Sequence, residues 1–297
     1  MLTLVTGLQG FVGSQLAQAI PCVPLALPDG ESVDIRDLDA VRRAVGAIGP
    51  ERVIHLAAQT FVPASFENPR ATFDTNFYGT LNLLQALKEI AFTGRMLFVS
   101  SGDIYGLVPE EELPVSEARV PRPRNPYAVS KVAAEALCHQ WSQTEGFDIV
   151  TARPFNHVGP GQDERFVVAT IARQVAQQAR SGDPFSLMLG DIDATRDYTD
   201  VRDIVAAYLA ILSGGANAEI YNVCSGLERS VRDIARDMAD LLGREAVFNT
   251  DPARLRPSDQ RRMVGDGSKI RTELGWIPKI AWKHTLQAIL DEALQTS

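Results

Sequence analysis

Residues 7–13 read Gly7-Leu-Gln-Gly10-Phe-Val-Gly13, and what stands on either side of them decides the fold. Before the septet, Leu2–Thr6 is a short β-branched-rich run that Gly7 closes, a strand signal. After it, Phe11–Ile20 carries apolar residues at helical spacing. A strand, a glycine turn and a helix make a phosphate cradle. Gly7 allows the tight turn, Gly10 lets the backbone approach a pyrophosphate, and Gly13 lets the helix pack on the strand. The helix start then offers free N–H groups and a positive dipole end. A plain βα turn would need no such trio, so Gly7, Gly10, Phe11, Val12 and Gly13 are read as a dinucleotide site.

The same alternation continues outward. Cys22–Leu27 reads as a strand, Leu38–Ile48 as a helix, and Arg52–Leu56 as a strand. Arg70–Ile90 reads as one long helix, Arg95–Ser100 as a strand, Pro126–Thr144 as a helix, and Asp148–Arg153 as a strand. This order predicts an α/β fold with a Rossmann-type, doubly wound parallel sheet. Beyond Arg153, glycines and prolines loosen the pattern. Phe166–Arg180 reads as a helix and Phe185–Leu189 as a strand. Val201–Leu212 (helix) and Glu219–Val223 (strand) are expected to rejoin the main sheet, and Ser230–Leu242 and Ala281–Leu294 read as helices. The expected division is a dinucleotide domain over 1–153, rejoined by 198–225, and a smaller C-terminal α/β substrate lobe over 154–297, mainly 154–197 and 226–297. A cleft should separate them.

The cofactor's ribose partner is open. Asp29 lies near the usual spacing and would favour NAD, but Asp29–Gly30 also reads as a turn. No Arg or Lys between Ile20 and Ile35 offers itself to a 2′-phosphate. Asp34–Ile35 closes a short third strand, its carboxylate facing the adenine or capping the next helix. NADP and NAD both remain open.

Tyr127-Ala-Val-Ser-Lys131 places tyrosine and lysine at i and i+4, on one helix face. A free tyrosine, with a pKa of ~10, is a poor proton donor or acceptor at neutral pH. A nearby ammonium should lower it by favouring the phenolate. Upstream, Ser100-Ser101-Gly102-Asp103 ends a strand, where open α/β sheets bind ligands. Ser101, Tyr127, Lys131 and Asp103 are the catalytic candidates.

Together these motifs resemble the extended short-chain dehydrogenase/reductase family over essentially the whole chain. The resemblance is carried by GLQGFVG (7–13), HLAAQ (55–59), NFYGT (76–80), SSGDIYG (100–106), YAVSK (127–131), RPFNHVGPGQ (153–162), RDYTDVRD (196–203), YNVCSG (221–226) and LRPSD (255–259). It implies Tyr127 as general acid/base, Ser101 as its hydroxyl partner, and Lys131 as the residue that binds the nicotinamide ribose. It implies that Leu56, Ala57 and Ala58, with His55, line the cofactor by backbone, and that Asn76 supports the active site. Without the resemblance, Asn76 reads as a helix N-cap. Pro154, Phe155 and His157 would flank the nicotinamide. Asn156, Arg196 and Arg256 match groups that hold a nucleotide sugar's diphosphate, and Asp259 matches a nucleoside-ribose contact. Arginine suits diphosphate because its planar fork donates in pairs.

The resemblance further implies a GDP-sugar substrate and reduction of the C4 ketone of a GDP-4-keto-6-deoxy sugar to GDP-rhamnose. The competing member chemistry, 4,6-dehydration of GDP-mannose, uses a Glu where this chain has Asp103, one methylene shorter. Its F-N-H-E-S-P-R is here Phe155-Asn-His-Val-Gly-Pro-Gly161. An epimerase that retains NAD and a non-catalytic dinucleotide sensor are the remaining alternatives. Sensors of that kind commonly lose the tyrosine or lysine, and both are present. Helices over Arg70–Ile90 and Pro126–Thr144 resemble those of a four-helix homodimer interface.

Composition bounds the rest. Net charge is −8, with no basic stripe, so no nucleic-acid partner is expected, and an anionic substrate must be met by individually placed arginines. Three scattered cysteines, Cys22, Cys138 and Cys224, suggest neither a metal site nor a disulfide and fit a reducing compartment. MLTLVTG lacks a basic n-region, and Ile204–Leu212 is too short to span a bilayer, so no membrane partner and a cytoplasmic location are expected.

Overall fold

In the computed structural model, which describes residues 1–180, 184–251 and 260–296, the strands in chain order are β1 Thr3–Thr6, β2 Val23–Pro24, β3 Arg52–His55, β4 Arg95–Val99, β5 Asp148–Pro154, β6 Asn156–Val158, β7 Phe185–Leu189, β8 Thr195–Asp200, β9 Ile220–Val223, β10 Glu228–Ser230 and β11 Ala246–Thr250. The helices are α1 Phe11–Ala19, α2 Leu38–Ile48, α3 Val62–Glu67, α4 Pro69–Phe73, α5 Gly79–Glu89, α6 Pro126–Thr144, α7 Val167–Gln178, α8 Val201–Gly214, α9 Val231–Asp240, α10 Ser268–Leu274 and α11 Trp282–Thr296.

Six strands form one parallel sheet in the order β2-β1-β3-β4-β5-β9. Successive residues of a strand point to opposite faces, and here both faces are dry. Leu4, Val53, Phe98 and Ile149 face a core built with α2, α5 and α6. Val5, Ile54, Leu97 and Val150 face a second core built with α1 and α8. The chain steps from β1 to β2 on one side, then returns to β3 on the other. That reversal opens a crevice at the C-terminal ends of β1 and β3, where such folds bind ligands.

The C-terminal part has its own core, in which Val158, Ile171, Phe185, Tyr198, Met238 and Ile289 meet. It carries a three-stranded sheet, β10-β8-β6, and a parallel pair, β11-β7. Four of these strands (β6, β8, β10 and β11) and α10 are not visible as periodic patterns. In β8 the buried positions include Asp197, Thr199 and Asp200 alongside Tyr198, so no apolar alternation marks it.

Three expectations need correction. The strand over Cys22–Leu27 contracts to Val23–Pro24 at the sheet edge, where proline's missing N–H is tolerated. Asp34–Ile35 closes no strand. The run Arg70–Ile90 is α4 and α5 joined by a π turn at Asp74–Tyr78, whose extra residue sequence periodicity does not register.

Candidate active site

The glycine cradle forms at the crevice. Gly7 has φ 72°, and a Cβ there would lie 2.9 Å from the Ala57 nitrogen, so the β1 and β3 ends approach as only glycine permits. A Cβ on Gly13 would strike the carbonyl oxygens of Gly7 and Leu8. Helix α1 starts at Gly10 with no side-chain cap and no acid in its first turn. Its positive end is therefore uncompensated, and the cradle suits a pyrophosphate. The Phe11 and His157 rings stack nearby, 5.9 Å apart and 1° from parallel. Leu56 N–H donates to the Thr6 carbonyl and Ala57 N–H to the Thr6 hydroxyl at 3.1 Å, which leaves Ala57 and Ala58 along the crevice wall. His55 below is buried between the hydroxyls of Thr6 and Thr80, and burial lowers its pKa to about 3, so it stays neutral. Gly13→Ala should cost cofactor affinity at least tenfold and lower the melting temperature, because backbone cannot yield as a side chain can. Nicotinamide fluorescence titration and a thermal melt check both.

The ribose candidates are engaged locally. Asp29 accepts the Glu31 N–H at 3.0 Å beside Gly30 at φ 90°, a turn. Asp34 accepts the Arg36 N–H at 2.9 Å and its guanidinium, and Arg36 holds that carboxyl below the usual range. Capping of α2 falls to Asp37, not Asp34. Ile35 is buried against Gly79.

Ser101 follows β4 and accepts the Asp103 N–H at 3.1 Å, capping a short 3₁₀ turn. Tyr127 stands at the second position of α6, where Pro126 takes the first and Asn125 the N-cap. Lys131 lies one turn on, and both side chains are buried. Burial pushes the Tyr127 phenol up to about 12, a hydrogen bond with Ser101 pulls it back, and the Asp103 charge adds to the rise. Lys131 Nζ instead donates to the Val99 carbonyl at 2.6 Å, 5.1 Å from the Phe98 ring centre. The expected lowering of Tyr127 by the Lys131 ammonium is therefore not seen: burial raises the phenol, and the ammonium is aimed at a backbone carbonyl.

Burial lowers Lys131 to about 8, from a lysine's ordinary 10.5. A lysine whose folded pKa is depressed costs stability wherever the folded protein must charge it. That cost is full below about 8 and is relieved as pH rises toward 10.5. Lys131→Met should accordingly raise the melting temperature at pH 7 while reducing activity; a lower melting temperature would sink the argument.

Asn76 caps no helix. It sits buried in the π turn, accepts the Gln59 N–H at 2.7 Å, and donates to the Gln59 carbonyl at 3.1 Å and Ser130 Oγ at 2.9 Å. Ser130 donates on to the Tyr127 carbonyl at 2.7 Å. Asn76 thus braces the end of β3 against the tyrosine's helix. Pro154 ends β5, and buried Phe155 packs beneath Gly102. His157 Nδ1 donates to the Phe155 carbonyl at 3.0 Å. Asn156 is exposed at the start of β6.

Arg196 donates to the Thr195 carbonyl at 2.7 Å and pairs with neither neighbouring acid. Asp197 is buried and accepts the Ser225 N–H and hydroxyl and the Gly226 N–H, while Asp193 takes Arg232. Arg256 and Asp259 lie outside the described residues. One buried group escaped the sequence reading. Arg153 pairs with Glu135 of α6 and donates at 2.9 Å to the Tyr105 hydroxyl, which donates to Asn222 at 2.7 Å. Glu135 four residues after Lys131 was its only signal.

A profile of the GDP-mannose 4,6 dehydratase family matches residues 30–289. The chain belongs to that family. It is 46% identical to a GDP-6-deoxy-D-mannose reductase of Pseudomonas aeruginosa, over 97% of this chain and 95% of that protein. It is 30% identical to a GDP-mannose 4,6-dehydratase of Vibrio cholerae, over 87% and 76%. Among solved structures, RMD from Pseudomonas aeruginosa complexed with NADPH superposes with a TM-score of 0.92 at 43% identity, covering 100% of this chain and 99% of that one. A Thermus thermophilus UDP-glucose 4-epimerase in complex with NAD gives 0.86 at 33% identity, covering 99% of each. The doubly wound sheet is the fold that these members share.

Proposed function

We propose that the chain is an NADP- or NAD-dependent oxidoreductase that reduces the C4 ketone of a GDP-4-keto-6-deoxy sugar, giving GDP-rhamnose. The observation that carries this is the buried Tyr127 phenol beside Ser101 at the sheet's ligand-binding edge, one helical turn before Lys131. A reduction needs a proton donor there. Similarity to the Pseudomonas reductase supplies the substrate class.

Gly7, Gly10, Phe11, Val12 and Gly13 would hold the cofactor's pyrophosphate, and Asp34 and Ile35 would border its adenosine half. Leu56–Ala58, Asn76, Pro154, Phe155 and His157 would seat its nicotinamide half. When bound, the reduced nicotinamide supplies a hydride to the carbonyl carbon. Tyr127 gives its proton to the carbonyl oxygen, and Ser101 hydrogen-bonds that oxygen as charge develops. Lys131 would turn from the Val99 carbonyl to the cofactor ribose. Asn156, Arg196, Arg256 and Asp259 would hold the GDP moiety.

The division into a 1–153 and 198–225 cofactor domain and a remaining substrate lobe is part of the same reading; β9 pairing beside β5 supports it. So is a homodimer through the 70–90 helical run and α6, where Tyr78 and Val129 present apolar surface. A cytoplasmic setting is supported by three free cysteines; among the described residues no helix is long and apolar enough to cross a membrane.

The deciding assay mixes the protein with GDP-4-keto-6-deoxy-mannose and NADPH or NADH and follows nicotinamide absorbance. Consumption with one cofactor fixes the preference. No consumption with either defeats the proposal.

A further inference from the structure

One side-chain contact joins the turn after β4 to the start of α6. Asn125 Nδ2 donates to Asp103 Oδ2 at 2.7 Å. The same Asn125 accepts the Ala128 N–H at 2.7 Å through Oδ1, as N-cap of α6. The Asp103 N–H in turn donates to Ser101 Oγ. The contact therefore ends on one side at Ser101 and on the other at the helix start that carries Tyr127. Asp103 is otherwise exposed, so burial does not explain why an acid is tied down there.

We propose that Asn125 is a positioning residue for the reduction, fixing the Asp103 carboxylate beside the proton-donating phenol of Tyr127. This rests on the reductase reading given above. A carboxylate near a phenol disfavours the phenolate. Reduction must begin with the proton on the tyrosine, whereas 4,6-dehydration begins by removing one from the sugar's C4 hydroxyl. By holding that carboxylate in place, Asn125 favours donor chemistry.

The groups around Tyr127 allow this assignment. Ser101 and Asp103 act on it from the turn after β4. Lys131, on its own helix, donates to Val99. Tyr208 of α8 is a buried phenol, raised first by burial and further by Tyr127. The elements packed on α6 also carry Glu67, Arg70, Asp74, Tyr78, Lys88, Glu89, Tyr105, Asp148 and Arg153; Lys88 pairs with Glu145, Glu89 with Arg42, Asp148 with Arg95 and Arg153 with Glu135, and none of the nine acts on the phenol.

A double-mutant cycle tests the proposal. Asn125→Ser keeps a capping hydroxyl at the helix start and removes the amide that holds Asp103. The alkaline limb of kcat for ketone reduction should fall by about one pH unit in Asn125→Ser and in Asp103→Asn, with KM for the sugar little changed. The double variant should shift no further than Asp103→Asn alone, because Asn125 acts through Asp103. Additive shifts, or an unmoved limb in Asn125→Ser, overturn the proposal. The tyrosinate ultraviolet difference spectrum repeats the comparison without turnover, Tyr127→Phe identifying the signal. Tyr127 should ionise at lower pH in both single variants. An unchanged signal overturns the proposal by itself, whereas failure of the wild type to oxidise NADPH or NADH overturns the reductase reading.

Discussion

Tyr127→Phe should lower kcat for ketone reduction about a hundred- to ten-thousand-fold and leave binding of the reduced nicotinamide within about twofold of wild type. The substitution removes one oxygen from a ring that is buried in the fold. That ring keeps its apolar contacts, and no buried acceptor loses an obligatory donor, because Ser101 also engages the Asp103 N–H. Structure and cofactor cradle should survive, and the proton donor should not. With phenylalanine in place, the alkoxide that forms on hydride arrival has only Ser101 and water to turn to. Steady-state reduction and a nicotinamide fluorescence titration give the two numbers. Near-wild-type turnover would remove Tyr127 from the mechanism.

Arg153→Ala should destabilise the protein by about 3–5 kcal/mol, the usual cost of stranding one member of a buried ion pair. The Arg153 side chain is 3% exposed and that of Glu135 11%. Removing the guanidinium leaves the Glu135 carboxylate buried without its cation, and the Tyr105 hydroxyl and Glu117 carbonyl without a donor. Replacing both partners, as Arg153→Met with Glu135→Leu, should recover most of that loss, since the desolvation cost leaves with both charges. Chemical denaturation of the wild type and the two variants reads this out. A single variant as stable as wild type would mean that the pair contributes nothing. Activity should fall as well, because Arg153 precedes Pro154 and Phe155, and Phe155 underlies Gly102 between Ser101 and Asp103.

Much of the cofactor half was legible because its determinants are local. Gly7, Gly10 and Gly13 mark a backbone path that other residues would block, and Tyr127 and Lys131 share a face by helical geometry alone. The long helix over Arg70–Ile90 shows the limit. Its apolar pattern runs on through the π turn, and the inserted residue is detected only when Asn76 is found pointing inward at Gln59 and Ser130. Strand β8 was invisible for a related reason. Its buried polar residues, Asp197, Thr199 and Asp200, read as surface until their position in the fold is known.

What the sequence by itself determined is the strand–helix alternation of the first half, the glycine turn and the shared helix face of Tyr127 and Lys131, since each depends on residues a few positions apart. Only the tertiary structure decided their electrostatics. The Lys131 ammonium, expected to lower Tyr127, is drawn to the Val99 carbonyl of a neighbouring strand, and the phenol rises because the folded chain excludes water from it. Asp103 likewise acquires its partner from Asn125, 22 positions away. Burial and long-range partners set a proton's affinity, and both come into being when distant segments pack.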